Sequence, residues 1–266
     1  MINIFIKISL VLFIILAGWV PVFADSKTDN SFMNITYEKP LNAHNEVIRK
    51  ELKTEAVGEL VADTLQELFI PALPSKPLNL AYGGEDGPLY DNLENTIYIP
   101  YGFIQEIKER FINANYPDSG ISLKDAVMDV VIHTILHEVA HALINSYDLP
   151  VVTKEEDAAD SLATLLIIEY LEDGEEIALT AADFFDLESD NVEDLEEEDF
   201  WDEHSLDVQR YYSTVCYIYG SNPEDYSHLK QDAHFSDERA ELCIDEYDQL
   251  YFSWMALLKP IIRSSK

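Results

Sequence analysis

The sequence predicts a mostly helical α+β domain with a small sheet at about residues 77–100, a buried apolar helix and a helical C-terminal half. Three observations carry this. From Asn45 to Ile70 the apolar positions Val47, Ile48, Leu52, Val57, Leu60, Val61, Leu65, Leu68 and Phe69 recur at helical spacing. Residues 76–101 change character: prolines, Gly83-Gly84 and Gly87 bound two β-like runs, Leu78 to Tyr82 and Thr96 to Pro100. From Tyr101 onward helical patterning dominates.

Taken in order, the first 24 residues hold one charge, Lys7, then an apolar stretch from Ile8 to Val20 and the ending Val22-Phe23-Ala24. This reads as a secretory signal peptide cleaved before Asp25, its apolar stretch short of the ~20 residues that a membrane span needs. No other segment reads as apolar enough to span, so no stable membrane insertion is expected after cleavage. Residues 25–44 are polar and aperiodic and read as a flexible leader to a single domain over 45–266. Tyr101 to Asn113 is amphipathic, and Ser122-x-x-Asp125 caps the apolar helix that follows. Leu149-Pro150 breaks the chain before a helix running to about Asp173-Gly174. Further helices are expected over Ser205 to Tyr219 and Ser236 to Leu258.

Loss of Lys7 leaves 16 basic against 51 acidic residues, a net charge of −35, which excludes nucleic acid and anionic lipid surfaces as partners. Twelve of the 21 residues from Asp183 to Glu203 are acidic, the pattern of a solvated loop. A calcium site at Asp186–Asp190 lacks the glycine that turns such a loop. Cys216 and Cys243 are the two cysteines, and in an exported chain they are expected to pair.

The chemistry lies in His137-Glu138-Val139-Ala140-His141 and, further on, Glu156-Asp157-Ala158-Ala159-Asp160. Residues four apart share a helix face, so His137 and His141 can close on one zinc ion. Glu138, about 100° round the helix, can reach a water on that ion as a general base. Glu156 is the candidate third ligand, with Glu155 and Asp157 as rivals. Asp160, one turn on, can accept the free N–H of a ligating histidine. Thr153 to Glu156 also reads as a capping box that would put Glu156 third in its helix. His133 extends the histidines to a ladder whose outer members lie ~12 Å apart, too far for one ion.

The HExxH and ExxxD pair resembles the thermolysin-like gluzincins, which implies a zincin-like core and a peptide or protein substrate. The runs His137 to Ile144, Asp148 to Val151 and Glu155 to Leu166 resemble more closely a bacterial family of metallopeptidases within a domain of unknown function. So do Trp201 to Tyr212, Cys216 to Pro223 and Arg239 to Cys243, and the similarity spans residues 45 to 262. Gluzincins take an oxyanion donor from the helical lobe, which implies His204, with Tyr211 or Arg210 behind it. They also pair an extended peptide with a strand, here the one just before the active helix. The rival reading is a zinc-bound but catalytically silent exported protein that acts through partners.

Overall fold

The computed structural model describes residues 32–69, 77–189 and 195–262, so the expected signal peptide lies outside the described residues. Strand β1 (Met33–Tyr37) leads into helices α1 (Ala43–Glu55) and α2 (Val57–Leu68). Strands β2 (Leu78–Tyr82), β3 (Leu89–Asp91) and β4 (Thr96–Ile99) follow. The rest is helical: α3 (Tyr101–Asn113), α4 (Leu123–Tyr147), α5 (Glu155–Tyr170), α6 (Gly174–Ser189), α7 (Asp207–Ser221), the short α8 (Leu229–Asp232) and α9 (Asp237–Leu258). The chain is thus α+β and mostly helical.

The four-stranded sheet has the order β1-β2-β4-β3, with β1, β2 and β4 parallel and β3 antiparallel to β4. Two expectations are corrected by it. Residues 33–44 are not a flexible leader: β1 pairs with β2 from Met33↔Leu78 to Tyr37↔Tyr82. Phe32 and Met33 are buried, and Phe32 stacks on Phe69 at 5.7 Å. The strand before the active helix, β4, is interior, so its backbone edges are taken by β2 and β3. The outer strands are β1 and β3, and the return from β3 to β4 is shaped by Asp91, its side chain accepting from the N–H groups of Leu93 and Glu94.

The long helix expected over 45–70 breaks at Ala56, which adopts a left-handed conformation with φ 54°. Nothing in its residue type announces this. The acidic run is also not all loop, because α6 carries Asp183, Asp186 and Glu188. Asp183 accepts from Tyr116 at 2.6 Å and Glu188 pairs with Arg110 at 2.7 Å. Helical backbone through Ser189 cannot wrap an ion, which removes the calcium loop as drawn; Asp190 lies outside the described residues.

Helix α4 is the centre of the molecule. Ser122 caps it by accepting from the Asp125 N–H, and it packs against α2, α3, α5, α6 and the sheet. It is, contrary to expectation, long and apolar enough by composition to cross a membrane, yet 83% of its most apolar window is buried in the fold, as befits a core helix. Around it, Gly174 allows the tight turn from α5 into α6: a Cβ there would meet the Ile167 carbonyl oxygen at 2.1 Å. Gly220 allows α7 to approach α9, where a Cβ would lie 2.2 Å from the Cys243 carbonyl oxygen. Beside that contact Cys216 and Cys243 form a disulfide, and Trp254 of α9 donates to Ser161 of α5 at 3.0 Å. Such a bridge suits an oxidising, non-cytoplasmic compartment.

Candidate metal centre

The apolar sequence around the HExxH motif forces α4 into the core, and one face of it opens on a cleft. His137 and His141 lie one turn apart there with their Nε2 atoms 3.2 Å from each other. Glu156, at the start of α5, puts Oε2 3.0 Å from His137 Nε2 and 3.2 Å from His141 Nε2. The capping-box expectation fails: Lys154 is the N-cap without a side-chain bond, so Glu156 is second in the helix and its carboxylate is free to face the histidines.

The other nitrogen of each ring has its own carboxylate. His137 Nδ1 meets Asp160 Oδ1 at 2.7 Å, and His141 Nδ1 meets Glu155 Oε1 at 2.8 Å. A neutral imidazole has one N–H; directed at these carboxylates from Nδ1, it leaves a lone pair on each Nε2. Two lone pairs and a carboxylate oxygen then converge, a repulsive arrangement that a cation relieves. Tetrahedral zinc, with bonds of roughly 2.0–2.1 Å, sets its ligand atoms about 3.3–3.4 Å apart. The observed triangle is close to that, so these side chains fit the ion. Burial opposes charge on His137, yet its bonds to Asp160 and Glu156 push its pKa up to about 9. Burial likewise works against ionised Glu156, but bonds to His137, His141 and His204 hold its carboxyl far below the usual range.

Glu138 is buried and makes no part of the triangle. Burial raises its pKa against the pull of His137 and His141. His204 sits across the cleft on the loop before α7, with Nε2 3.0 Å from Glu156 Oε2 and its ring stacked on His137 at 6.2 Å. His137, Glu156 and His204 all offer ligand atoms within 4.8 Å of one another. His141 Nε2 lies 3.2 Å from both His137 Nε2 and Glu156 Oε2 and its Nδ1 meets Glu155, so both His141 and His204 stand beside Glu156. The loop bearing His204 is held by Lys154, whose Nζ donates to the carbonyls of Asp202 and His204 at 2.9 and 3.2 Å. The His204 ring faces Asp202 at 3.5 Å, and Asp207 pairs with Arg210 at 3.3 Å.

Arg210 and Tyr211, the alternatives to His204, do not reach the cleft. Arg210 grips both oxygens of Asp160 at 2.7 and 3.0 Å and lies 3.9 Å over the Phe185 ring, where it anchors the carboxylate behind His137. Tyr211 packs on Tyr212 at 5.0 Å. Of the rival ligands, Glu155 serves the far nitrogen of His141, and Asp157 faces a separate polar cavity between α5 and α7. His133 is buried below the site with no partner at Nε2, and burial pulls its pKa down to about 4, so it stays neutral against Phe185.

Sequence reasoning misses Lys154, the role of Glu155, and the cleft's far wall of Pro88, Leu89, Tyr90 and Asn92. The cleft encloses about 280 Å³ and is lined on its other sides by Asn145 and Glu203 besides the residues above. No curated protein and no solved structure matches the chain. A family model does, over residues 37–258, which take in strands β2 to β4, helices α4 and α5 and both cysteines of the disulfide, and its description is "Putative metallopeptidase". The chain belongs to that family, DUF4344.

Proposed function

We propose that the chain is an exported zinc peptidase of gluzincin type, which hydrolyses peptide bonds with Glu138 as general base. The observation that carries this is the convergence of His137 Nε2, His141 Nε2 and Glu156 Oε2 at 3.0–3.2 Å while Asp160 and Glu155 engage the opposite ring nitrogens. A zinc ion held by these three would supply a water acidified toward a pKa of ~7 and polarise a carbonyl.

The protein's own groups do the rest. Glu138 accepts the proton of the attacking water and delivers it to the leaving amine. His204, at the opposite wall, would donate a hydrogen bond to the oxygen that gains charge at the scissile carbonyl. The outer edge of β3, part of the cleft wall, offers backbone groups to an extended peptide, the part first assigned to β4.

The test is the zinc content of the purified chain, then cleavage of a mixed peptide library with and without chelator. One zinc per chain and chelator-sensitive cleavage are expected. Stoichiometric zinc with no cleavage of any peptide would overturn the enzyme in favour of a silent zinc-binding protein.

A further inference from the structure

The cleft walls carry a charge imbalance that the metal does not remove. Four carboxylates line it, those of Glu138, Glu155, Glu156 and Glu203, and among the described residues of the lining there is no Lys or Arg. A divalent ion offsets Glu156 and Glu138. Glu155 gives one oxygen to the neutral ring of His141 and keeps the other; its side chain is 52% exposed. Glu203 is exposed on the loop between Asp202 and His204. The nearest cation in sequence, Lys154, has its ammonium directed at the carbonyls of Asp202 and His204. Even an imidazolium at His204 leaves the walls negative. Asn92 and Asn145, at the β3 wall and one turn beyond His141, add amide groups to the same cleft. The whole chain, at a net −34, extends the field outward.

We propose that this cleft selects peptides with a lysine or arginine beside the scissile bond, and that Glu203 and Glu155 are the residues that read it. The proposal rests on the peptidase reading for the word scissile, but the charge preference in binding does not need turnover. An ammonium or guanidinium brought near two uncompensated carboxylates in a half-enclosed cleft gains attraction that a neutral side chain lacks. An acidic side chain meets the reverse. Attraction of this kind is weakened by salt, because the carboxylates remain partly open to solvent.

The test uses matched peptides with Lys, Gln or Glu at each position flanking the cleaved bond. Binding is measured to the zinc-loaded Glu138→Gln protein, and turnover by the zinc-loaded parent. We expect at one flanking position an order of Lys over Gln over Glu, about tenfold per step at low salt, with the steps shrinking as salt rises. Glu203→Gln should narrow the Lys-to-Glu ratio several-fold. Glu155→Gln should narrow it too, with zinc content measured alongside because the same carboxylate steadies His141. Equal binding and turnover of all three peptides overturns the proposal and leaves the peptidase standing. Charge-ordered binding without turnover does the opposite. An order unchanged by both substitutions would also overturn it, since the preference would then arise elsewhere.

Discussion

At the scale of single residues, the proposed centre has groups that would touch the ion and groups that would serve it, and substitutions should separate them. Glu138 stands beside the ligand triangle without joining it, so Glu138→Gln is expected to retain zinc and lose roughly 10²–10⁴ in kcat, measured by metal analysis and steady-state rates on one preparation. A variant that cleaves at near the parent rate would remove Glu138 as the base. For the ligands the expectation is a ranking of zinc affinities. Glu156→Ala should lose most and Asp157→Ala almost nothing, since Asp157 does not line the cleft and lies at the cavity between α5 and α7. Asp160→Asn should fall between them at about 10–100-fold, because an amide in its place no longer fixes the His137 ring as a carboxylate does. Competition with a chromogenic chelator reads all three. Metal retained by Glu156→Ala would dissolve the assignment.

At the scale of elements, the first two turns of α5 organise the centre: Lys154 holds the opposite loop, Glu155 meets His141, Glu156 faces both histidines and Asp160 holds His137. Lys154→Met should therefore loosen His204 without touching a ligand, and kcat is expected to fall about tenfold at unchanged zinc content, with Lys154→Arg restoring most of it. This corresponds to losing roughly one modest charged hydrogen bond. Equal rates for parent and Lys154→Met would show that the loop is held by other means. Those parts of α5 and α4 that obey helical spacing were legible from sequence, since four-residue steps at His137/His141 and Glu156/Asp160 state their own geometry. Contacts between elements were not. Glu155 read as a rival to Glu156 because its true partner, the far side of His141, depends on how α5 packs. The three residues of β3 are too few to show a period, and the Ala56 break uses a residue that normally continues a helix. Met33, Ile35 and Tyr37 do alternate as a strand should, but inside a polar stretch that alternation passed for a leader.

At the scale of the whole molecule, acid should act oppositely on the empty and the loaded protein. Burial raises Asp129 and Asp183 to about 6 each, against the opposing bonds from Thr180 and Tyr116. A raised folded pKa means that the native state binds protons more readily, so stability is full below the unfolded value near 4 and lost as pH rises through about 6. The raised pKa of His137 acts in the same sense at higher pH. The depressed carboxyls Glu156 and Asp160 act in reverse, losing their contribution only as pH drops below the usual carboxylate range. Metal-free protein is thus expected to melt higher at pH 5 than at pH 7.5 and to weaken again below about 4. Zinc-loaded protein should lose its metal-derived margin on the same descent, as protons displace the ion from the histidines. Melting curves with and without chelator across pH decide both halves, and a flat metal-free profile would contradict the first.

The bridge between Cys216 and Cys243 reaches further than the two helices it joins. It fastens α7 to α9, and α7 supplies Arg210, which grips Asp160, which in turn holds His137. A newly made chain whose thiols are still reduced lacks that fastening, worth about 4 kcal/mol in an idealised chain-entropy account. Its zinc affinity should be measurably weaker until oxidation, which a titration with and without reductant would reveal. On the proposed function, oxidation would then complete the metal site only after the chain has left the reducing compartment in which it is made.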